Sequence, residues 1–248
     1  MLIRCETRDG VEIVGEVFPA VGPERGVVIL AHGLPSGKPA ISDAPDEGYP
    51  GLARRVAALG FRAAVFNFRG TGESGGHLEI DLWPDDLAAV IDFIERDSPR
   101  PFRCAVVGFS AGGAASILQS ARDERIERLI TLAAPADYSF LAIDHDPETW
   151  FAHYKNLGMV RAGYAGTARE WAARFTNVVP REAIALSKAR EIVIIHGGAD
   201  DLVPVSHADI LARAAGPKAR KIILPGVAHQ TRRDERAAKA LLDILAGS

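Results

Sequence analysis

Short apolar runs alternate with amphipathic runs along most of the chain. The apolar runs predict buried strands at 27–31, 63–68, 103–107, 126–132, 192–195 and 221–224. Apolar residues at helical spacing predict helices at 52–60, 82–96, 206–215 and 232–245, and another between residue 110 and about residue 122. Strands that alternate with helices predict an α/β fold, with a mostly parallel central sheet and helices on both of its faces.

The start of the chain has a different pattern. Two extended runs, 2–7 and 11–18, flank Arg8-Asp9-Gly10. An Asp-Gly pair between extended runs is typical of a β-hairpin, so we expect an antiparallel N-terminal hairpin at one edge of the sheet. Residues 34–48 are rich in proline, glycine, serine and aspartate, which predicts a long loop.

The alternation of strands and helices stops between residues 136 and 189. This segment holds two of the three tryptophans and several other aromatic residues, so it is too apolar for a disordered linker. We expect a small helical cap at 136–189, inserted into an α/β core that is formed by 1–135 and 190–248.

Composition narrows the classes of function. The chain has 248 residues, of which 48% are hydrophobic and 25% charged, and its formal net charge is −3. This charge gives no electrostatic support for binding to nucleic acid or to an anionic membrane. No apolar run approaches the roughly 20 residues that span a bilayer, and the N-terminus has no long apolar signal core.

The two cysteines, Cys5 and Cys104, both lie in strand-like runs. This placement favours buried free thiols over disulfide bridges, and free thiols are typical of a reducing compartment. We therefore expect a cytoplasmic protein. Its expected partner is a small-molecule substrate, and the chain is expected to act as a monomer or a homodimer.

The most informative polar residue is Ser110. It stands in the run Gly108-Phe109-Ser110-Ala111-Gly112, between a predicted strand and a predicted helix, which is the arrangement of a nucleophile elbow. Glycines at 108 and 112 remove Cβ clashes at a sharp turn, and a serine there can attack a carbonyl carbon if a base lies nearby. The motif alone is a weak signal, because short glycine and serine patterns also occur in ordinary loops.

Two later loops supply an acid and a base. Asp200 follows one predicted strand and His229 follows the next. Because the carboxyl ends of parallel strands face the same edge of a sheet, we expect Ser110, Asp200 and His229 to meet there as nucleophile, acid and base. Asp201 is the alternative acid, and the spacing to Val203-Pro204 favours Asp200.

Other polar residues fit structural roles better. His32 and His196 lie at strand ends, where we expect them to support backbone turns. Asp144, His145 and Asp146 are consecutive and cannot easily converge on one ion, and no paired-cysteine or metalloprotease motif is present, so we expect no metal.

The chain resembles the α/β-hydrolase family over almost its whole length. The segments that carry the resemblance are the His32-Gly33 turn, the loop 67–74, the elbow 108–112, the acid loop 200–204 and the base loop 226–229. Residue 67 is asparagine where aspartate is commoner in the family, but this position is usually structural.

The resemblance implies a cofactor-free serine hydrolase that acts on esters of small or medium acyl groups, similar to cytosolic carboxylesterases. The residue after the nucleophile, Ala111, is expected to supply one backbone N–H of the oxyanion hole, and by resemblance Leu34 supplies the other. A thioesterase, a peptidase and an acyltransferase share the same triad and remain alternatives. A non-catalytic binding protein on the same fold is a further alternative, against which an intact triad weighs.

Three aromatic residues of the expected cap could contact substrate. Trp150, Phe151 and Tyr154 would form one wall of an acyl pocket, since such pockets are mostly apolar. The alternative is that these side chains form the apolar core of the cap itself.

Overall fold

The computed structural model describes residues 1–35 and 48–247. Most of the loop predicted at 34–48 therefore lies outside the described residues. The strands are β1 (Leu2–Glu6), β2 (Glu12–Phe18), β3 (Gly26–Ala31), β4 (Phe61–Phe66), β5 (Cys104–Phe109), β6 (Ile126–Leu132), β7 (Glu191–Gly197) and β8 (Ala219–Leu224). The helices are α1 (Gly48–Ala58), α2 (Trp83–Arg96), α3 (Ala111–Ser120), α4 (Pro147–Asn156), α5 (Ala168–Thr176), α6 (Pro180–Ala183), α7 (Ser206–Ala215) and α8 (Glu235–Ala246).

These strands form one sheet in the order β1-β2-β4-β3-β5-β6-β7-β8. β2 pairs antiparallel with both β1 and β4, which confirms the predicted N-terminal hairpin at an edge of the sheet. The other neighbouring strands, in the order β4-β3-β5-β6-β7-β8, all pair in parallel. This confirms the predicted α/β class. The loops that follow β3, β5, β7 and β8 consequently share one edge of the sheet.

The central strands are buried on both faces. In β3, Val27 and Ile29 belong to the same apolar cluster as residues of α2 and α3, whereas Val28 and Leu30 cluster with α1 and α8. α7 extends the first of these layers beyond α3. Burial on both faces explains why the strands are continuous apolar runs rather than alternating ones.

The last helix begins later than its apolar spacing predicts. It starts at Glu235 because the Asp234 side chain accepts a hydrogen bond of 2.9 Å from the Arg236 N–H, which caps the first turn. The preceding residues, Thr231–Arg233, form a separate 3₁₀ turn. Among the helices described, none is both long and apolar enough to cross a membrane.

Segment 136–189 lies between β6 and β7 and contains α4, α5 and α6. Its hydrogen bonds to the rest of the fold include two to the backbone of Leu78, whose N–H donates to the Met159 carbonyl and whose carbonyl accepts from Trp171 Nε1, both at 2.8 Å. Trp171 and Tyr154 are buried in the apolar cluster that also contains α2. The segment therefore shares its apolar core with the sheet.

A buried ion pair holds the loop after β4. The Arg69 side chain is fully buried, and its Nε and backbone N–H donate to the two carboxylate oxygens of Asp86 on α2, each at 2.8 Å. Its two terminal nitrogens donate to Asp9 in the hairpin turn at 2.8 and 3.0 Å, and these bonds hold the pKa of Asp9 below its ordinary value. Arg69 thereby connects β4, the hairpin and α2.

We predict that Asp86→Ala lowers the free energy of unfolding by about 1–3 kcal/mol or more, because it leaves the buried Nε–H and backbone N–H of Arg69 without their acceptor, while Asp9 still pairs with the terminal nitrogens. The matched control is Asp85→Ala on the same helix. Asp85 pairs with Arg122 at the surface, so its loss should cost only about 0–1 kcal/mol. Urea denaturation of the two variants and the wild type measures the difference, and equal losses would contradict this account of Arg69.

Candidate active site

Ser110 connects the end of β5 to the start of α3. Its φ is +50° and its ψ is −121°, a backbone conformation that residues other than glycine rarely adopt. The Ser110 N–H donates to the Leu132 carbonyl at 2.8 Å, and the Ser110 carbonyl accepts from the Ala114 N–H at 3.1 Å. Backbone strain is therefore held at the residue that carries the hydroxyl, as is common at functional turns.

The glycines around Ser110 are required by close packing rather than by their own dihedral angles. A Cβ on Gly112 would lie 2.3 Å from the His32 carbonyl oxygen, and one on Gly108 would lie 2.5 Å from the Cα of Gly113. Atoms cannot approach so closely. The start of α3 therefore reaches the end of β3 only because residue 112 lacks a side chain, and it packs against the end of β5 only because residue 108 lacks one. This packing brings Ser110 next to the His32-Gly33 turn.

The structure brings the predicted nucleophile, base and acid together. His229 Nε2 lies 3.0 Å from Ser110 Oγ, and His229 Nδ1 lies 3.0 and 2.9 Å from the two carboxylate oxygens of Asp200. An ionised carboxylate only accepts hydrogen bonds, so Nδ1 carries the proton of a neutral ring. Nε2 is then free to accept the proton of the serine hydroxyl.

Asp200, and not its neighbour Asp201, contacts His229. The Asp200 side chain is fully buried, and its Oδ1 accepts hydrogen bonds from the backbone N–H groups of Leu202 at 3.0 Å and Val203 at 2.8 Å. Asp201 is exposed. The backbone of the loop after β7 thus turns the first of the two adjacent carboxylates toward the histidine.

A second histidine also faces the Asp200 carboxylate, and sequence reasoning missed this contact. His196 Nε2 lies 3.0 Å from the Val203 carbonyl oxygen and 3.2 Å from Asp200 Oδ2. Burial alone would raise the pKa of Asp200, but hydrogen bonds from His196, His229 and the Val203 N–H outweigh burial and hold that pKa well below its ordinary value. The only signal in the sequence is a spacing of four residues, which carries no information across a junction between a strand and a loop.

His32 supports the turn beside Ser110, as expected. A Cβ on Gly33 would lie only 3.0 Å from the Cβ of Ser110. His32 Nε2 accepts from the Phe68 N–H at 3.2 Å, so Nδ1 carries the proton and donates to the Gly33 carbonyl at 2.7 Å. Burial lowers the pKa of His32 to about 4, against the effect of the Gly33 bond, so the ring is neutral near pH 7.

The two predicted oxyanion donors, Leu34 and Ala111, are the residues that follow Gly33 and Ser110. Ala111 is the first residue of α3, and the first N–H groups of a helix have no acceptor within the helix. The Gly33 carbonyl is held by His32, and in a trans peptide the N–H of the next residue, Leu34, points the opposite way. The role of both amides as oxyanion donors stays a prediction.

The aromatic residues predicted to line an acyl pocket pack mainly against one another. Trp150 and Phe151 are half-buried and Tyr154 is buried. The ring of Trp150 stacks on that of Tyr154 with the ring centroids 6.3 Å apart. The ring centroids of Phe151 and Tyr154 lie 5.7 and 5.5 Å from that of Trp171. Their contact with substrate stays a prediction.

The remaining predictions concern cysteines and metals. Cys5 and Cys104 are both buried free thiols. Within residues 1–35 and 48–247, no three histidine, cysteine, aspartate or glutamate side chains are grouped as metal ligands.

A family model described as the alpha/beta hydrolase fold matches residues 26–181. The match covers more than half of the chain and includes β3, the Ser110 elbow and α5. The protein therefore belongs to the α/β-hydrolase family.

Individual relatives agree with this assignment. The chain is 28% identical to a monoacylglycerol lipase of Mycolicibacterium smegmatis, over 94% of this chain and 91% of the lipase. Among solved structures, an esterase from Exiguobacterium antarcticum superposes with a TM-score of 0.72 at 16% identity, covering 99% of each chain. An esterase from Pyrococcus furiosus also gives a TM-score of 0.72, at 19% identity, covering 99% of this chain and 89% of the esterase. At such identities the structural matches establish the fold alone.

We predict that Gly112→Ala lowers the free energy of unfolding by about 1–3 kcal/mol or more, since the added Cβ would overlap the His32 carbonyl oxygen. Gly75→Ala is the matched control. A Cβ at residue 75 would meet its nearest atoms at 3.5 Å, an ordinary contact, so stability should change by about 0.5 kcal/mol at most. Urea denaturation measures both variants, and a tolerated alanine at residue 112 would show that the elbow does not depend on this approach.

Proposed function

We propose that the protein is a cofactor-free serine hydrolase that cleaves carboxylic esters through an acyl-enzyme. Ser110 is the nucleophile, His229 the general base and acid, and Asp200 the residue that orients His229. The observation that carries this proposal is the continuous contact from Ser110 Oγ through both ring nitrogens of His229 to Asp200, with each step at 2.9–3.0 Å.

The first half of the reaction forms the acyl-enzyme. Ser110 Oγ attacks the substrate carbonyl carbon while its proton moves to His229 Nε2, and Asp200 stabilises the imidazolium that results. Negative charge develops on the carbonyl oxygen, where the N–H groups of Leu34 and Ala111 would each contribute about 3 kcal/mol to the transition state. The C–O bond to the alcohol breaks as His229 returns the proton to the leaving oxygen.

The second half releases the acid. Water gives a proton to His229 Nε2 and attacks the acyl carbon, and the same proton returns to Ser110 Oγ when the ester bond to the enzyme breaks. The sum is an ester plus water giving an acid plus an alcohol. His229 and Ser110 finish in their starting states.

An ester substrate is supported by the relative that is named a monoacylglycerol lipase, which matches nearly the whole chain. We propose acyl groups of small or medium length. Thioesters and amides are the alternatives, because the same triad serves a thioesterase, a peptidase or an acyltransferase. Parallel assays on p-nitrophenyl esters of varied length, an acyl thioester and an aminoacyl anilide separate these activities.

We further propose that the protein works in a reducing compartment such as the cytoplasm, as a monomer or a homodimer. The support is that Cys5 and Cys104 are buried and unbridged. Sedimentation velocity on the purified protein determines the oligomeric state. Fractionation of the native cells determines the location, and enrichment outside the cytoplasm would overturn that part of the proposal.

We predict that Ser110→Ala lowers kcat for p-nitrophenyl acetate by about 10⁴- to 10⁶-fold, because no other group replaces the nucleophile. The variant should also lose covalent labelling by a fluorophosphonate probe. Ser116→Ala, in which the mutated hydroxyl donates only to the Gly112 carbonyl, is the matched control and should still be labelled. Near wild-type turnover in a folded Ser110→Ala variant would exclude the proposed mechanism.

We predict that Asp200→Asn lowers kcat by about 10⁴-fold, because an amide at this position favours the wrong tautomer of the histidine. Asp201→Asn is the control on the adjacent exposed carboxylate and should leave kcat within about twofold of the wild type. Steady-state kinetics on one p-nitrophenyl ester compares them. Equal losses, or the reverse order, would show that the orienting acid is misassigned.

We propose that segment 136–189 is a helical cap over the carboxyl edge of the sheet, set in a core of 1–135 and 190–248, with Trp150 and Phe151 forming one wall of the acyl pocket. Trp150→Ala should then change the ratio of kcat/KM between short and long acyl esters by about 10- to 200-fold. Lys155→Ala, at an exposed position of the same helix, should leave that ratio unchanged. If Trp150→Ala lowers only the melting temperature, these aromatics are core residues of the segment.

A further inference from the structure

His196 occupies a position where an apolar residue would be expected. It lies near the end of β7, is fully buried, and follows Ile192 and Ile194 on the face that packs against α7. Its Nδ1 has no hydrogen-bond partner within the described part of the chain. A buried polar atom without a partner is costly, so a residue that only filled space here would be more stable as an aliphatic side chain.

The other ring nitrogen explains why a histidine stands there. His196 Nε2 faces two atoms that can only accept hydrogen bonds, the Val203 carbonyl oxygen at 3.0 Å and Asp200 Oδ2 at 3.2 Å. The proton of the ring must therefore be on Nε2. A proton on Nδ1 would be buried without an acceptor among the described residues, so the contacts favour the tautomer that carries its proton on Nε2.

The contact acts on the part of Asp200 that the backbone leaves free. Leu202 and Val203 donate their N–H groups to Oδ1, whereas Oδ2 faces the two imidazole rings of His229 and His196. Without the N–H of His196, the carboxylate would be held at Oδ2 by His229 alone. The plane of the carboxylate sets the direction of the His229 ring and so the aim of Nε2 at Ser110.

We propose that His196 is a positioning residue of the hydrolytic site, which fixes the Asp200 carboxylate between two imidazole rings. The inference rests on the proposed function, because it assigns His196 a part in orienting His229. The charged or titratable groups that act on the ring are Asp200 and, on α7, His207 and Asp209. Of these three, Asp200 is the group that the ring nitrogen contacts directly.

The test compares H196F with H196Q on a p-nitrophenyl ester. Phenylalanine keeps the ring and removes the Nε2–H, whereas the glutamine amide reaches a similar position and restores an N–H donor. We expect H196F to lower kcat by about 10- to 100-fold with little change in KM, the range for losing one hydrogen bond to a charged group. H196Q should recover most of this loss.

A pH profile separates positioning from packing. Without the His196 donor, Asp200 attracts a proton more strongly and stabilises the His229 imidazolium more, so the acid limb of kcat/KM should move to higher pH in H196F. Ile194→Val, at a buried site on the same strand and face, is the control. It should lower the melting temperature and leave the acid limb where it is in the wild type.

A folded H196F with wild-type kcat and an unmoved acid limb would overturn the proposal about His196. If Ser110→Ala is inactive in the same assay, the proposed hydrolytic mechanism still stands. If Ser110→Ala is instead active, the proposed function itself fails. Should H196F not fold, long-range ¹H–¹⁵N NMR of the wild type decides the matter. A protonated Nε2 on His196 supports the proposal, and a protonated Nδ1 overturns it.

Discussion

The approach of the start of α3 to the end of β3 is the constraint on which the site depends. It is possible only where Gly112 carries no side chain, because a Cβ there would overlap the His32 carbonyl oxygen. A Cβ on Gly108 would in the same way separate the end of β5 from Gly113 on α3. The turn between β5 and α3 must therefore be tight, and Ser110 in this turn has a φ of +50°. The surrounding helices and strands supply the packing energy that holds this unfavourable conformation in place.

The approach of α3 to β3 also places Ser110 close to the polar groups of the site. Ser110 lies beside Gly33, and the neutral His32 ring fixes the peptide that follows it. On the other side, the loop after β7 supplies two N–H groups to Asp200. Hydrogen bonds from His196, His229 and the Val203 N–H together hold the pKa of Asp200 below its ordinary value despite its burial. Both loops lie at the same edge of a parallel sheet, and this topology brings groups as far apart in the sequence as Ser110 and His229 into contact.

Much of this arrangement could be predicted from the sequence. The apolar runs located the strands, and the order of Ser110, Asp200 and His229 placed them at one edge of the sheet. The choice between Asp200 and Asp201 rested on the spacing to Val203-Pro204, and the contact with His229 is made by Asp200. These features can be read from the sequence because they depend on local residue patterns. In a parallel sheet, the carboxyl ends of all the strands lie at one edge, so a residue that follows a strand can be placed there.

Other features could not be predicted, because they depend on distances between elements. The contact of His196 with Asp200 follows from the curvature of one loop, and no pattern of residue types encodes it. The start of α8 depended on the cap at Asp234, which apolar spacing does not register. The side-chain partners of Trp150 and Phe151 likewise follow from how α4 meets α5, and periodicity gives only the helices themselves.

The attachment of segment 136–189 to Leu78 has a consequence for which substitutions it tolerates. Both the N–H and the carbonyl of residue 78 are used to hold the segment, one by Met159 and the other by Trp171. Main-chain groups are present whatever side chain evolution places at that residue. Any residue except proline at position 78 therefore keeps both the donor and the acceptor, whereas the bond to its carbonyl is lost if the indole of Trp171 is replaced.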